Sequence, residues 1–254
     1  MLCAEHLSFS YGDAPVLKDL SVAFKAGAVT TLMGANGCGK TTLLQLLTKN
    51  LKPTGGVVTL DGTALERIPL REFAKKAAIV HQKNTAPDDL TVEALVSYGR
   101  LPYSSILKTS LSEENRAQVE RALSLTDLTE LRERRVGTLS GGQRQRAFIA
   151  MALAQNTGLL FLDEPTTFLD VRYQVEILRL VEKLNREQGI TIVMVLHDIN
   201  QALAYSDEVV GLRDGTVAVQ GKPEEVIDSE SIKTLYGIDL PVCKADGRLC
   251  VMAI

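Results

Sequence analysis

No apolar run in these 254 residues approaches the roughly 18 that crossing a bilayer requires. The opening "MLCAEHLSFSYGD" has no basic segment leading into an apolar one, so neither secretion nor membrane insertion is expected. Charge of one sign is also missing. Lys and Arg number 28 against 31 Asp and Glu, a net charge of -3, and a chain without a basic field has no means of holding nucleic acid non-specifically. The four cysteines, Cys3, Cys38, Cys243 and Cys250, fall in no metal-ligand spacing, and reduced thiols are expected. There is no internal repeat, low-complexity run or flexible linker, which points to one compact unit with lobes. Hydrophobic residues make up 45% of the chain, enough for a sizeable core.

What is present reads as α/β. "LSFSYGDAPVLKDLSVAFKAGAVTTLMG" alternates short β-type segments with turns, and "GGVVTLDGT" and "AAIVHQ" add strands. From Leu90 to about Gln155 the pattern turns helical, with Ser112 offered as a cap before acidic first-turn residues. Three buried-type strands follow, "GLLFLDEP", "TIVMVLHD" and "EVVGL", with a helix around Val175 to Glu187 between the first two. Strand, helix, strand in that order implies a parallel sheet.

Two motifs carry chemistry. "GANGCGKT", Gly34 to Thr41, fits G-x-x-x-x-G-K-[ST] and sits between the apolar "VTTLM" and the helical "TTLLQLLTKN", the strand, loop and helix context of a phosphate loop. Glycines there let successive N–H groups face phosphates, the helix start adds positive potential, Lys40 reaches the outer phosphates and the Thr41 hydroxyl suits Mg²⁺. "LLFLDEP", Leu159 to Pro165, is an apolar strand ending in two carboxylates. It places Asp163 to hold Mg²⁺ and Glu164 to polarise an attacking water. A third stretch, "LSGGQRQRAFIAMALAQ", sets Ser140 and two glycines before a helix. Its unpaired N–H groups form a second anion site, suited to a nucleotide held by another copy of the chain. The simpler alternative is that Ser140 is an N-cap and the glycines a turn.

"LSGGQ" (Leu139 to Gln143) between a phosphate loop and "LLFLDEP", with Gln82 after "AAIV" and His197 after "TIVMVL", resembles the ATP-binding-cassette (ABC) ATPases, from Leu2 to about Gly237. The resemblance implies a P-loop NTPase core with a mainly parallel sheet, an antiparallel β lobe and an inserted α-helical lobe. The implied bounds are 1–83 and 156–221 for the core with its β lobe, 84–155 for the helical lobe and 222–254 for a short tail. ATP and Mg²⁺ are the implied ligands. Tyr11 would stack on adenine. Gly34, Asn36, Gly37, Cys38, Gly39, Lys40, Thr41 and Thr42 would hold the phosphates on one side, and Ser140, Gly141, Gly142 and Gln143 those of a second copy in a head-to-tail dimer. Thr41, Gln82 and Asp163 would serve the metal, with Glu164 as general base. His197 would contact the γ-phosphate and Asp170 would lie at the dimer interface. Cys38 inside the loop suggests sensitivity to thiol reagents.

"VSYGRLPY", "DEPTTFLDVRYQVEIL" and "VLHDINQALAYSDEVV" are similar to importer ATPases for iron-siderophores, haem and cobalamin. Tyr173 stands where a histidine is common in that group, and Ala202–Leu203–Ala204 replaces a version containing arginine. The resemblance implies a peripheral subunit on the cytoplasmic face of the inner membrane. Its partners would be separate transmembrane permease subunits, meeting it near Gln82 and Gly99–Tyr103, and indirectly an extracytoplasmic substrate-binding protein. A soluble ABC ATPase of DNA repair or translation is the alternative from another class. Such chains carry long insertions, zinc modules or a second cassette, and none of these is read here.

Overall fold

The computed structural model describes residues 1–103, 112–245 and 247–252. Positions 104–111 of the expected helical lobe and 246, 253 and 254 of the tail therefore lie outside the described residues. The strands are β1 (Leu2–Tyr11), β2 (Ala14–Phe24), β3 (Val29–Met33), β4 (Gly55–Leu60), β5 (Thr63–Ala64), β6 (Ala77–Val80), β7 (Leu159–Asp163), β8 (Thr191–Val195), β9 (Glu208–Arg213), β10 (Thr216–Gly221), β11 (Val242–Ala245) and β12 (Arg248–Val251). The helices are α1 (Lys40–Leu47), α2 (Leu70–Phe73), α3 (Val92–Ser97), α4 (Glu113–Leu125), α5 (Gly141–Ala154), α6 (Val171–Gln188), α7 (Ile199–Tyr205), α8 (Pro223–Val226) and α9 (Ser229–Tyr236). Two compact units result, Met1–Ile68 with Asn185–Ile254, and Pro69–Leu184.

In the first unit β1 pairs antiparallel with β2 on one side and β4 on the other, and β5 follows β4. This is the antiparallel β lobe, and β2 alternates buried with exposed residues towards its end, as a sheet with one wet face does. A second set of strands runs in the order β10, β9, β3, β8, with β3 parallel to both β9 and β8 and β10 antiparallel to β9. Every residue of β3 is buried, Thr30 and Thr31 included, which is the signature of a parallel strand covered on both faces. The buried Thr31 hydroxyl meets that of Ser206 at 2.6 Å.

The tail of the chain belongs to this unit's core. Met33, Leu203, Val209, Ile232, Leu235 and Val251 form one buried cluster, so the end of β3, α7, β9, α9 and β12 share packing. Helix α9 is fixed at both ends: Asp228 and Ser231 cap its start reciprocally, and Gly237 ends it with φ +73. The hairpin β11–β12 is pinned by Asn200 of α7, whose amide donates to the Val251 carbonyl at 3.0 Å and accepts from the Val251 N–H at 2.8 Å.

In the second unit β6 and β7 pair in parallel, Ala77 opposite Leu159 through Val80 opposite Leu162. Helices α3, α4 and α5 pack on one another. Val92, Leu95, Val119, Leu123, Phe148 and Ile149 are all buried there. Ser112 caps α4 by accepting from the Asn115 N–H at 3.3 Å, and Glu113 and Glu114 follow where the helix dipole favours acid. Helix α6 buries Ile177, Leu178, Val181 and Leu184, one stripe at helical spacing. Among the described residues no helix is long and apolar enough to cross a membrane.

One charged side chain is part of this second core. Arg100, 2% exposed, donates from Nε to Asn115 Oδ1 at 2.9 Å and from Nη1 to the Ala154 carbonyl at 2.7 Å, with its guanidinium carbon 3.9 Å from the centre of the Tyr103 ring. It therefore ties α4 and the end of α5 to the segment after α3. Removing it strands two buried acceptors, each costing about 1–3 kcal/mol. Arg100→Ala is expected to lower unfolding stability by about 3 kcal/mol in urea titration. A loss well below 1 kcal/mol would mean that water replaces the guanidinium without penalty.

Candidate functional site

The loop Gly34–Gly39 connects β3 to α1 and is shaped by sterics at both ends. Gly34 has φ +133, and a Cβ there would stand 2.3 Å from the Leu212 carbonyl oxygen of β9. Gly39 has φ +109, and a Cβ would meet Leu17 Cδ2 at 2.6 Å. Only glycine takes these backbone conformations in so little room. Between them the chain curls around the Lys40 side chain, which is 5% exposed and donates to the carbonyls of Gly34 at 2.8 Å and Ala35 at 2.9 Å. Thr41 is exposed on the first turn of α1, Thr42 is buried behind it, and Asn36 and Gly37 are exposed at the crest of the loop. The first turn of α1 holds no acidic residue to offset the positive end of its dipole. A curled glycine backbone, one cation and an uncompensated helix start form a cradle of the kind that holds a polyphosphate. Cys38 is buried under the loop, its Sγ 3.8 Å from Lys40 Nζ.

The loop is held from behind by α9. The Gly34 N–H donates to the Tyr236 hydroxyl at 3.2 Å and the Ala35 N–H to the Leu235 carbonyl at 3.3 Å. Burial pushes the Tyr236 phenol up to about 12, so it stays neutral at physiological pH and its oxygen accepts. Neither residue belongs to a motif read from the sequence. Their role comes from a contact across a long stretch of chain, Tyr236 and Gly34 standing 202 positions apart, which no local pattern announces. Elsewhere in this unit Tyr11 is 53% exposed, edge-on to Phe9 with ring centres 4.9 Å apart, and its hydroxyl donates to Gln45 Oε1 at 3.4 Å. His197 is exposed two residues after β8, and Asp198 next to it caps α7 by accepting from the Gln201 N–H at 2.9 Å.

In the second unit β7 ends in the two carboxylates. Asp163 is buried, 8% exposed, and Glu164 follows with φ +50, a left-handed backbone that turns its side chain out of line with the strand. The Gln82 amide donates to Glu164 Oε2, and the Thr167 hydroxyl donates to the same oxygen at 3.1 Å. Gln82, just after β6, and Glu164, just after β7, are thus brought together by the parallel pairing of their strands, a contact that sequence reading did not state, and Thr167 is a further addition that it missed. Asp170 is exposed and accepts from the Tyr173 N–H at 3.1 Å, capping α6. Before it Phe168 is 88% exposed with φ +65.

Ser140 does cap α5. Its hydroxyl accepts from the Gln143 N–H at 3.4 Å and the Gln143 side chain accepts from the Ser140 N–H at 3.1 Å, a reciprocal capping box. Gly141 and Gly142 have a further reason to be small. A Cβ on Gly142 would stand 2.2 Å from Cδ1 of the Tyr173 ring, which lies against the helix start, and one on Gly141 would be 3.4 Å from Leu169. The cap is therefore made within the chain, and the chain's own packing also keeps both glycines small.

The chain is similar to known proteins over nearly its whole length. The family model described as ABC transporter matches residues 17–167. The "Probable siderophore transport system ATP-binding protein YusV" of Bacillus subtilis is 46% identical, over 97% of this chain and 93% of its own length. The iron(3+)-hydroxamate import ATP-binding protein FhuC of the same organism is 44% identical, over 95% and 89%. Among solved structures, a dimeric post-hydrolysis state of the ATP-binding cassette MJ0796 bound to ADP and Pi superposes with a TM-score of 0.73 at 31% identity, covering 87% of this chain and 98% of that one.

The anchoring of the loop by α9 yields a measurable expectation. Tyr236→Phe removes the acceptor for the Gly34 N–H, and loss of one hydrogen bond of about 1 kcal/mol is expected to weaken ATP binding about fivefold. Fluorescent-nucleotide titration checks this, with thermal melting of the same preparation to confirm the fold. Unchanged affinity would show that the loop keeps its shape without the phenol.

Proposed function

Because the chain belongs to the ABC transporter family, we propose that it is the ATP-hydrolysing subunit of an importer for a metal chelate, an iron-siderophore first among them. It binds ATP and hydrolyses it to ADP and phosphate. The chelate class is supported by what the relatives' names state, siderophore transport for one and iron-hydroxamate import for the other. The observation that carries the hydrolytic reading is the Glu164 carboxylate, turned out of β7 by its positive φ and held by Gln82 and Thr167.

In this reading the residues divide the work. In the first unit Lys40 and the loop amides neutralise the phosphates, Tyr11 stacks on the base and His197 contacts the γ-phosphate. In the second unit Glu164 orients and deprotonates the attacking water, with Gln82 and Thr167 fixing which carboxylate oxygen faces it. Ser140, Gly141, Gly142 and Gln143 face the nucleotide of a second copy, and Asp170 lies at that interface. The Thr41 hydroxyl, the Asp163 carboxylate and the Gln82 amide oxygen are the hard donors that Mg²⁺ selects, and the ion when bound offsets charge on the phosphate oxygens. Phosphoryl transfer to water then depends on positioning and electrostatics more than on covalent chemistry.

The chain would act as a peripheral protein on the cytoplasmic face of the cell membrane, docked on transmembrane permease subunits. Support for a docking face comes from Leu70, Tyr98, Leu101 and Tyr103, large apolar side chains left exposed in the second unit. Two of the segments that carry them are joined, since Arg71 Nε donates to the Pro102 carbonyl at 2.8 Å. Gly99 and Arg100 between them are buried and serve the fold.

Glu164→Gln is expected to keep nucleotide affinity within about threefold, accumulate an ATP-bound dimer in size-exclusion chromatography, and lose at least ~10²-fold in turnover. Parental turnover in that variant would remove Glu164 as the base. Lys40→Ala is expected to weaken ATP binding itself. For the transport assignment, the chain is co-expressed with the permease genes beside its own, and the recovered complex is assayed with binding proteins loaded with ferric siderophore, haem or cobalamin. Stimulation by the siderophore-loaded protein alone supports the iron-chelate reading. Stimulation by one of the others moves the cargo, and ATPase activity with no membrane partner recovered favours a soluble role.

A further inference from the structure

The hairpin β11–β12 carries two thiols that the nucleotide chemistry does not use. Cys243 and Cys250 are register partners on the two strands, and their sulfur atoms lie 3.2 Å apart. Directly opposed residues of an antiparallel pair stand about 4.5–5.5 Å apart at Cα, inside the roughly 4.4–6.8 Å that a disulfide spans. Bond formation therefore needs side-chain rotation and no movement of the strands.

The register that opposes them is fixed from several sides. Val242 pairs with Val251 and Lys244 with Leu249 on either side of the cysteines. Asn200 grips Val251 through both its amide groups, the Val242 N–H donates to the Ser229 hydroxyl at 3.3 Å, and the Met252 N–H to the Pro241 carbonyl at 3.0 Å. Both cysteines are half-buried, so a small reagent reaches them, whereas Cys38 is buried and Cys3 sits alone on β1. Two thiols held face to face, accessible and outside the motifs are an arrangement for thiol–disulfide exchange.

We propose that Cys243 and Cys250 form a reversible dithiol/disulfide site whose substrate is a low-molecular-weight disulfide of the glutathione type. Exchange starts at one of the two facing sulfurs, taken here as that of Cys250. Its thiolate attacks one sulfur of the disulfide, the S–S bond of that reagent breaks, and one thiolate leaves. Cys243 then gives up its proton and attacks the Cys250 sulfur, releasing the second thiolate. In sum two cysteine thiols lose two electrons and two protons, and the reagent is reduced to two thiols. In a reducing environment both cysteines stay as thiols, and the bond forms when the disulfide fraction rises.

The full-length protein is incubated with oxidised glutathione, denatured with an alkylating agent present, and digested with trypsin. Cleavage after Lys244 and Arg248 puts the two cysteines on separate peptides, 234–244 and 249–254, so a disulfide appears as a linked pair. The expected result is loss of both alkylatable thiols in favour of that linked pair, fully reversed by dithiothreitol. A Cys243→Ser chain is expected to stop at a glutathione adduct on Cys250. Recovery of both cysteines as alkylated thiols, or as stable adducts with no linked pair, overturns the proposal. So does a Cys243→Ser chain that takes up no glutathione.

Discussion

The contact on which the Gly34–Lys40 cradle rests is the close approach of the Leu212 carbonyl to the Cα of Gly34. A parallel strand buried on both faces has no slack, and β3 must leave the sheet within one residue of its neighbour's backbone. With a side chain at position 34 the loop would be pushed outward, and the Gly34 and Ala35 carbonyls that hold Lys40 would go with it. The curl, the placement of the cation and the exposure of the first turn of α1 all follow from that one steric fact. The bonds from Tyr236 and Leu235 act on the same two residues, so the tail reinforces the conformation that the sheet imposes.

A different economy governs the end of β7. Glu164 adopts a left-handed backbone, a conformation that costs a non-glycine residue of order 1 kcal/mol. The compensation is visible in the donors that meet it, Gln82 from the adjacent strand and Thr167 one turn ahead. Strain held at a carboxylate by two directed bonds fixes the orientation of the group, which is what the general-base role proposed for Glu164 requires.

Much of this was legible in the sequence because it is local. The phosphate loop, the carboxylates after β7, the Ser112 and Ser140 caps and the parallel strands each announce themselves within ten residues or so, and the family resemblance they carry agrees with the comparisons. The pairing of β6 with β7, which no motif states, is what brings Gln82 to Glu164. What stayed hidden depends on tertiary approach. Tyr236 lies in an ordinary amphipathic helix, and nothing near it in the chain says that its hydroxyl reaches Gly34. Arg100 lies in the Gly99–Tyr103 stretch expected to meet a partner and is a core strut. The sulfur-to-sulfur approach of Cys243 and Cys250 appears only once the two-strand register is known, since six residues between cysteines fits a turn, a loop or a hairpin equally well.

The packing of Tyr173 on Gly142 bears on how the sequence can drift. The two positions are far apart in the chain yet share one volume, a ring carbon standing 2.2 Å from where a Cβ would sit. Neither is an independent character. A lineage that enlarges residue 142 must first shrink or turn residue 173, whereas replacement of the ring by a smaller or flatter group leaves the glycine in place and merely opens a gap above it. Change is therefore directional at this pair, with the aromatic free to vary first and the glycine bound to follow.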